Sequence, residues 1–582
     1  MTDETNRLPD GSVPVLLSSH VEELLREEAA AICAYLEAHE EAGPAEVAAA
    51  LAATRPVRKH RALVVVKDRG ELIAALRAFA ANGEAPGVVT ASGTGSPKVA
   101  FVYPGQGNQR RGMGKVCYER SPAFRAEADR CDRLFQESFG ISPLDYLLDR
   151  GPDLGSTAQV VQPALFLQMM GLTAMWRAAG VEPRATVGHS LGELVAAHVA
   201  GMITLRDAIT VVMLRAEVIE RLVSDGFAMA VLGVDREACD ALIARQPGWA
   251  EVSVVNSAHL IGISGDGQSV AQIVDEAQKT GVFARQIRVP YPAHISLVNQ
   301  YWGAWAEAFE GRLEHAELFG SRMPCVGGCT GDALAEGADS VEYWFRTLRN
   351  VVRFDLAVAK AVELGVDVFV EISEHPMLLL AMLETANAVR PANPPAVVGT
   401  SRRTAEDFSE FVRNLAAVAV GDPKFPWPVA RGGSALPGFP PARMQKLKLW
   451  AHAPAARAAL APTAEPAQPQ PAEPAQPQPA QAPDPAPAPE ALAPEELADL
   501  VRAEVTRVMG VGEEDFELDG SEPLVLLGLD SMQALELRKR VQAKFGKEVP
   551  LTALMAGASL DEVVEMMTQT QTSQSRSEVA YA

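Results

Sequence analysis

A stretch built almost entirely of proline, alanine, glutamine and glutamate constrains the fold of this chain more than any other feature. Residues 453–490 read APAARAALAPTAEPAQPQPAEPAQPQPAQAPDPAPAPE. Such a composition cannot bury a core, and its prolines favour extended polyproline II. At ~3.1 Å per residue the stretch could span on the order of 100 Å. It therefore predicts a semi-rigid tether between a large N-terminal part and a small C-terminal unit. A recognition site for a proline-binding module is the alternative interpretation.

The length and charge of the chain limit its class. At 582 residues it exceeds one ordinary hydrophobic core, and 48% hydrophobic with 22% charged residues is a globular composition. A formal net charge of −22 argues against a nucleic-acid binder, which needs basic residues against phosphates. The N-terminus lacks a basic segment followed by an apolar run, and no stretch reaches the ~18 apolar residues of a membrane helix. We therefore expect a soluble, cytoplasmic protein without nucleic-acid or membrane partners.

The six cysteines are scattered, and only Cys325 and Cys329 lie close together in sequence. No CxxC pair or Cys/His cluster indicates a zinc site. The sequence predicts reduced, mostly buried thiols and no metal.

Hydrophobic periodicity divides the rest of the chain. Between residues 98 and about 400, short apolar runs such as KVAFVYPG, ATVGHS and VDVFVEIS alternate with amphipathic helical patterns, which favours an α/β domain with a parallel sheet. Residues 13–97 show a helix-rich start and then a strand and a helix in HRALVVVKDRGELIAALRAFA. Beyond the tether, three segments with helical periodicity predict a separate all-α unit.

The strongest chemical signal is TVGHSLGELVAAHVAG at residues 186–201. A buried strand leads into Gly-His-Ser-Leu-Gly and a helical segment follows, which is the strand–turn–helix context of a G-x-S-x-G nucleophile elbow. The helix N-terminus offers free N–H groups to a developing oxyanion. Ser190 is therefore the predicted nucleophile.

A serine nucleophile needs a base, and His294 in VPYPAHISLV is the candidate. An α/β-hydrolase would place its histidine near the C-terminal end of the domain. Here about a hundred residues of α/β pattern follow His294, so the sequence leans away from that fold.

Several motifs occur in the order seen in polyketide synthase acyltransferase domains, and they are also similar to malonyl-CoA:carrier-protein transacylases. They are FVYPGQGNQRRGMG, VVQPALFLQ, GHSLGELVAAHVAG, MLRAEVIE, VNSAHLIGISGD, VPYPAHISLV and FVEISEHPML. The preceding residues resemble the linker between ketosynthase and acyltransferase, and GSALPGFPPARMQKLKLW resembles the post-acyltransferase linker. LVLLGLDSMQALELRKRV matches the G-x-D-S motif of acyl carrier proteins.

This resemblance implies a multidomain α/β and all-α architecture. It comprises an α/β linker domain at 1–97, an acyltransferase at 98–400 with a ferredoxin-like insertion at about 226–289, a post-acyltransferase linker at 401–452, the tether at 453–490, a four-helix acyl carrier protein at 491–570 and a disordered tail at 571–582.

The resemblance also implies an acyl-CoA:carrier-protein acyltransferase mechanism of the malonyltransferase type. Ser190 would be acylated from CoA, with His294 as general base. The backbone N–H groups of Gln106 and Leu191 would form the oxyanion hole. In this family a backbone carbonyl steadies the histidine, and matching RTLRNVVRF to the family pattern assigns that carbonyl to Thr347.

In the substrate pocket, Arg215 matches the arginine that pairs with the free carboxylate of a malonyl-type acyl group, for which a guanidinium fork is suited. Gln162 and Asn256 would line the same pocket, together with Tyr291 and Ala293.

On the carrier unit, Ser531 would be the attachment site of covalent 4'-phosphopantetheine. The implied partners are a phosphopantetheinyl transferase, the CoA thioester and other synthase subunits. Since the chain begins without a ketosynthase, that enzyme is expected to act in trans.

The sequence features that indicate the extender unit point in different directions in this chain. Methylmalonyl enzymes tend to show YASH and malonyl enzymes HAFH before and at the catalytic histidine, whereas residues 291–294 read YPAH. Leu191 and LVAAHVAG favour malonyl, and VVQPALF favours methylmalonyl. Malonyl is slightly preferred, with methylmalonyl or another substituted malonyl group as the alternative. Retention of Arg215 disfavours starter-unit loading.

Two functions of other classes remain open from the sequence. One is a serine hydrolase or editing thioesterase that releases the acyl group to water. The other is a non-catalytic docking scaffold for synthase subunits.

Overall fold

The computed structural model describes residues 6–82, 85, 87–107, 109–152, 155–222, 226–287, 291, 293–430, 436–445, 494–509, 524, 531–545, 549, 554 and 558–567. The predicted tether at 453–490 and the predicted tail at 571–582 lie outside these residues.

The first unit is a three-stranded antiparallel sheet of order β1-β2-β3 with helices packed on it. Strand β1 pairs with β2 so that Val15 lies opposite Val64, and both side chains are completely buried. The predicted strand and helix at 60–80 are confirmed, but the expected helix-rich start is preceded by a strand. The elements are β1 (Val13–Ser19), α1 (Glu22–Ala38), α2 (Pro44–Thr54), β2 (His60–Val66), α3 (Arg69–Ala80) and β3 (Val88–Ser92).

The α/β domain begins with a strand and a group of helices that lead to the second strand of its sheet. Helix α5 starts after Ser121, whose hydroxyl accepts the N–H of Phe124 as an N-cap. The elements are β4 (Val99–Tyr103), α4 (Lys115–Arg120), α5 (Pro122–Phe139), α6 (Pro143–Leu147), α7 (Ala158–Ala178), β5 (Ala185–Gly188), α8 (Gly192–Ala200) and α9 (Leu205–Leu222).

An inserted unit follows in the order β–α–β–β–α–β, with its four strands antiparallel in the order β7-β8-β6-β9. This element order is that of ferredoxin-like units. The elements are β6 (Phe227–Leu232), α10 (Arg236–Ala244), β7 (Ala250–Ser257), β8 (Leu260–Asp266), α11 (Gly267–Lys279) and β9 (Ala284–Ile287).

The chain then returns to the α/β domain through a 3-10 turn at Ser296–Tyr301. One short strand, β12, adds to β7 of the inserted unit in parallel. The elements are α12 (Trp302–Phe309), β10 (Cys325–Gly327), β11 (Asp332–Ala333), α13 (Ser340–Arg349), β12 (Val352–Arg353), α14 (Phe354–Glu363), β13 (Val368–Glu371), α15 (Leu379–Val389), β14 (Ala396–Val398) and α16 (Ser409–Ala419).

The central sheet has six strands in the order β11-β10-β5-β4-β13-β14 and is parallel except for the β10–β11 pair. Every residue of β4, β5 and β13 is buried. The three apolar runs in the sequence therefore form the predicted parallel core. Because parallel strands share a direction, the residues that follow β4 and β5 meet at one edge of the sheet.

The segment after β14 ties the α/β domain to the first unit through one buried arginine. Arg61 in β2 donates its Nε–H to the carbonyl of Val420 at 2.8 Å and its Nη2–H to that of Gly421 at 3.0 Å. Further along, the hydroxyl of Tyr35 donates to the carbonyl of Pro437 at 3.1 Å.

The C-terminal unit is described in part by α17 (Pro494–Met509), α18 (Ser531–Phe545) and a helical segment at 560–567. Fully buried apolar side chains from these pieces form a core of their own, including Val501, Leu537 and Val563. The rest of the predicted four-helix carrier lies outside the described residues.

Within the described parts of the chain, we find no helix with the length and apolar character needed to cross a lipid bilayer.

Candidate active site

Ser190 lies in a strained turn between β5 and α8. Its φ angle is 52°, in the left-handed region that residues other than glycine seldom adopt. A Cβ atom on Gly188 would come within 2.3 Å of the Glu193 Cα, and one on Gly192 within 2.1 Å of the Tyr103 carbonyl oxygen. Both glycines are therefore required by close backbone approach, and the turn has the geometry of a nucleophile elbow.

His294 is within hydrogen-bonding distance of this serine. Its Nε2 lies 2.9 Å from Ser190 Oγ, and its Nδ1 lies 3.0 Å from the main-chain carbonyl oxygen of Asn350. A carbonyl only accepts, so Nδ1 carries the proton and Nε2 is free to accept the serine proton. The structure thus brings the predicted nucleophile and base together in the tautomer that general-base catalysis needs.

The predicted orienting carbonyl of Thr347 is wrong, because Asn350 provides it. Thr347 lies inside α13, where its hydroxyl donates to the Trp344 carbonyl. Asn350 follows the helix in an extended conformation (φ −78°, ψ 152°), which turns its carbonyl out of the helical hydrogen-bond pattern. The assignment from RTLRNVVRF was three residues too early.

Burial keeps both histidines of the site neutral. Desolvation, followed by the charge of Arg215, lowers the pKa of His294 to about 3. Desolvation also lowers the pKa of His189 to about 4, while a hydrogen bond of 3.0 Å between its Nε2 and Asn256 Oδ1 opposes this shift. His294 can therefore accept a proton at neutral pH, and His189 acts as a packed donor beside the turn.

Arg215, in α9, points at the nucleophile from a buried position. Only 2% of the residue is exposed, and its Nη2–H donates to Ser190 Oγ at 3.1 Å. Its Nε and Nη1 atoms are buried and have no hydrogen-bond partner among the described residues. Desolvation lowers its pKa from the ordinary arginine value, with Tyr291 and Glu193 opposing. A buried cation with unused donors is suited to a bidentate carboxylate.

Three polar side chains next to Arg215 form a connected group. The Tyr291 hydroxyl donates to Gln106 Oε1 at 2.8 Å and accepts from Gln162 Nε2 at 3.2 Å. Gln162 is completely buried and does not line the cavity, contrary to expectation; it reaches the site through Tyr291. Tyr291 and Ala293 do line the cavity, as does Asn256, although its Oδ1 is occupied by His189.

The predicted oxyanion donors lie beside the nucleophile. The loop after β4 passes so close that a Cβ atom on Gly105 would lie 3.3 Å from the Ser190 Cβ, which places the neighbouring Gln106 at the site. Leu191 directly follows Ser190 as the N-cap of α8, so its backbone N–H lies next to the nucleophile.

Ser190 and His294, the dyad of this site, line a cavity of about 1830 Å³ between the α/β domain and the inserted unit. This volume exceeds the roughly 300–1,000 Å³ of pockets for drug-sized ligands. Its walls include strand residues of the inserted unit, α15 and Arg538 of α18. A long, flexible thioester substrate fits such a volume.

The position of Ser531 is described only through its backbone, as the first residue of α18. A helix N-terminus has unpaired N–H groups that suit a phosphate, so this position fits a phosphopantetheine arm.

Among the described residues, one group has the side chains of a metal site, formed by Asp207, Glu314 and His315. Asp207 is already engaged, since its carboxylate accepts from the Thr204 hydroxyl, the Glu314 N–H and His315 Nδ1. We therefore interpret this group as a hydrogen-bond network at the start of α9.

Sequence reasoning missed a second buried network behind the nucleophile. Glu193 accepts a hydrogen bond from the hydroxyl of Tyr343, 150 residues later in the chain, and one from the N–H of Cys329 at 3.1 Å. The signal in the sequence was an acidic residue three positions after the nucleophile, in a helix that is mostly apolar.

Comparison with known proteins agrees with this geometry. A family model described as an acyl transferase domain matches residues 100–422, and one described as a phosphopantetheine attachment site matches residues 499–567.

Among similar curated proteins, the spectinabilin polyketide synthase system protein NorA' of Streptomyces orinoci is 34% identical over 77% of this chain and 12% of its own length. Erythronolide synthase EryA2 of Saccharopolyspora erythraea is 33% identical over 78% of this chain and 13% of its own length. The chain therefore spans about an eighth of these two relatives.

Among solved structures, the acyltransferase domain from module 8 of the salinomycin polyketide synthase is 31% identical and covers 72% of this chain and 98% of its own, with a TM-score of 0.65. The acyltransferase domain of SpnD in complex with 2-(pent-4-yn-1-yl)malonyl is 27% identical, with the same coverages and a TM-score of 0.61.

Proposed function

This chain belongs to the acyltransferase family of polyketide synthases and carries a phosphopantetheine attachment domain, and from that premise we propose that it loads a malonyl-type extender unit onto its own carrier domain. The acyl group would pass from CoA to Ser190 and then to the arm on Ser531, for use by a ketosynthase supplied in trans. The observation that carries the proposal is the Ser190–His294–Asn350 chain of hydrogen bonds with Arg215 donating to the same serine oxygen.

In the first half-reaction, His294 Nε2 takes the proton of Ser190 Oγ as that oxygen attacks the thioester carbonyl. The backbone N–H groups of Gln106 and Leu191 stabilise the oxyanion, and one such donor contributes about 10²–10³ in rate. When the C–S bond breaks, the imidazolium returns the proton to the departing CoA thiolate. Ser190 is left as an acyl ester.

In the second half-reaction, 4'-phosphopantetheine bound at Ser531 supplies the thiol that receives the acyl group. His294 Nε2 takes the thiol proton and then delivers it to Ser190 Oγ as the ester opens. The Nδ1–H contact with the Asn350 carbonyl holds the ring in the same tautomer through both half-reactions.

Substrate selection follows from Arg215. Its buried guanidinium has unpaired N–H donors that can receive the free carboxylate of a malonyl-type group, while an acetyl group would leave those donors unpaired. Tyr291 and Ala293 face the same cavity, and the small Ala293 leaves room next to the acyl chain. We assign malonyl as the preferred unit, with methylmalonyl as the alternative.

Loading in cis is supported by the place of the carrier. Helix α18 contacts α15 of the acyltransferase, and Arg538 lines the cavity into which Ser190 opens. Arg538 is seven residues, about two helical turns, after the attachment position Ser531 on the same helix.

The test is intact-protein mass spectrometry of the phosphopantetheinylated protein with malonyl-CoA. We expect the peptide that contains Ser531 to gain one malonyl group, and a Ser190→Ala variant to gain none. A Ser531→Ala variant should still show acylated Ser190. Release of free malonate without loading of the carrier would assign the protein to the hydrolases instead. Malonyl-, methylmalonyl- and acetyl-CoA in competition would identify the extender.

A further inference from the structure

A buried carboxyl group lies directly behind the nucleophile, and the acyl transfer described above makes no use of it. Glu193 is in the first turn of α8, three residues after Ser190, and is 0% exposed. Burying a carboxyl group is costly unless both oxygens have partners. Here each oxygen has one, and the two partners come from different parts of the chain.

The first partner belongs to the helix that supports His294. The Tyr343 hydroxyl in α13 donates to Glu193 Oε1. The same helix ends just before Asn350, whose carbonyl accepts from His294 Nδ1, and the Leu348 carbonyl accepts the His294 main-chain N–H at 2.8 Å. Tyr343 thus anchors the helix whose C-terminal end holds the base.

The second partner belongs to the loop after β10. The N–H of Cys329 donates to Glu193 Oε2 at 3.1 Å, and the side-chain amide nitrogen of Asn350 lies 3.8 Å from Cys329 Sγ. Gly327, two residues earlier, leaves room for the carboxyl group, since a Cβ atom there would lie 2.4 Å from Glu193 Oε1. Two separate segments that contact Asn350 are therefore fastened to one side chain.

We propose that Glu193 is a positioning residue for acyl transfer. It joins α8, which begins two residues after Ser190, to the helix and the loop that lie next to the Asn350 carbonyl. The inference rests on the proposed function, because it concerns the same serine and histidine. Loss of the fastening lets the two sides of the Ser190–His294 hydrogen bond move relative to each other. A misplacement of 1 Å can cost about 10²-fold in rate.

The contacts also predict which substitutions the network tolerates. Burial raises the pKa of Glu193 to about 7, while the Tyr343 hydroxyl, the Cys329 N–H, the charge of Arg215 and the Gly328 N–H oppose that shift. A neutral glutamine can keep both contacts, because its carbonyl accepts from Cys329 and its amide donates to the phenol oxygen of Tyr343. The network therefore needs hydrogen-bonding partners at this position, which a glutamine also provides.

The experiment measures the rate of Ser190 acylation by malonyl-CoA and, separately, inactivation by phenylmethylsulfonyl fluoride, which needs the dyad but no carboxylate recognition. We expect Tyr343→Phe and Glu193→Ala to lower the maximal acylation rate and the inactivation rate in parallel, each by about tenfold or more, with KM for malonyl-CoA within about twofold. Glu193→Gln should restore most of both rates.

Tyr35→Phe is the matched control, because it also removes one buried phenol hydrogen bond but lies in the first unit. It should lower the melting temperature without changing either rate. If folded Tyr343→Phe acylates and inactivates at wild-type rates, the positioning role is overturned even if Glu193→Ala fails to fold. A wild-type protein that never acylates Ser190 would instead refute the proposed function itself.

Discussion

At the scale of single residues, the site is marked by backbone strain. Ser190 and His294 both have positive φ angles, 52° and 64°. Such conformations cost roughly 1–3 kcal/mol each in residues other than glycine and persist only where the surroundings enforce them. The surroundings here are the glycine contacts at the elbow and the Leu348 carbonyl that accepts the His294 N–H. Backbone strain at Ser190 and at His294 indicates that the fold gives up some stability to hold these two side chains in their relative positions.

The buried guanidinium of Arg215 makes a testable distinction between acyl groups. In an Arg215→Ala variant, kcat/KM for malonyl-CoA should fall on the order of 10²-fold, because a buried charge partner of the carboxylate is lost. Acetyl-CoA lacks that carboxylate and should change by about threefold or less. Arg221→Ala removes an exposed arginine of the same helix and serves as the control. Equal losses for the two thioesters would contradict the carboxylate role.

The neutral state of His294 predicts an unusual pH profile. Its lowered pKa, about 3, means that the neutral form is complete above about pH 5 and is lost only on stronger acidification. We expect kcat/KM for Ser190 acylation, which reports the free enzyme, to stay flat from pH 8 to about 5.5. A fall in kcat/KM with a midpoint near pH 6.5 would contradict this, because it would indicate a His294 with the pKa of an ordinary, solvated histidine. The Glu193→Gln variant, which cannot titrate at that position, should give the same profile.

Sequence reasoning predicted three side chains that the structure brings together, but not the groups that support them. Ser190, His294 and Arg215 each lie in a distinctive local motif, and the structure brings all three together. The support of His294 is a main-chain carbonyl, which every residue has, so only the end of α13 decides which one it is. The contact between Glu193 and Tyr343 joins side chains 150 residues apart, and no local pattern reveals such a pairing.

At the scale of elements, the sequence predicted the buried strands but could not predict their order. Apolar runs show that β4, β5 and β13 are covered on both faces, yet β5 and β4 are neighbours although four helices separate them in sequence. The elbow after β5 lies beside the loop after β4 only because these two strands are adjacent in the sheet. The order is fixed by crossover connections and long-range packing, which periodicity does not record.

One buried arginine joins the first unit to the segment after α16, and its removal should destabilise the protein measurably. The Arg61 side chain donates to the carbonyls of Val420 and Gly421, and also to carbonyls of residues 58, 59 and 93. In Arg61→Met these carbonyls lose their donor in a buried site, at about 1–3 kcal/mol for each that stays unpaired. We expect the free energy of unfolding to fall by about 3 kcal/mol or more in denaturant titrations.

The control for this prediction is Arg77→Met, whose exposed ion pair with Glu37 should contribute within about 1 kcal/mol. An Arg61→Met protein as stable as Arg77→Met would show that the first unit and the returning segment are joined by other contacts.

At the scale of the whole molecule, the predicted tether would make acyl transfer to the carrier an intramolecular step. A short flexible connection gives an effective concentration in the millimolar range, and proline-rich sequences such as that of 453–490 favour a stiffer, longer connection. Helix α18 contacts α15, and Arg538 of the same helix lines the cavity. Loading of the wild-type carrier should therefore be first-order and independent of protein concentration.

A mixture of two inactive variants tests this directly. Ser190→Ala keeps the carrier but cannot be acylated on the elbow, whereas Ser531→Ala keeps the dyad but has no arm. At ~1 µM each, loading across the mixture should be on the order of 100-fold slower than in the wild type and should rise with concentration, because transfer is now bimolecular. Arg538→Glu in the wild-type chain should slow loading in cis while leaving acylation of Ser190 unchanged, since Arg538 lies on the carrier helix at the cavity wall. Two results would contradict loading in cis: equal rate constants for the mixture and the wild type, or a wild-type rate constant that doubles when the protein concentration doubles. Either result would mean that each carrier is loaded by other molecules.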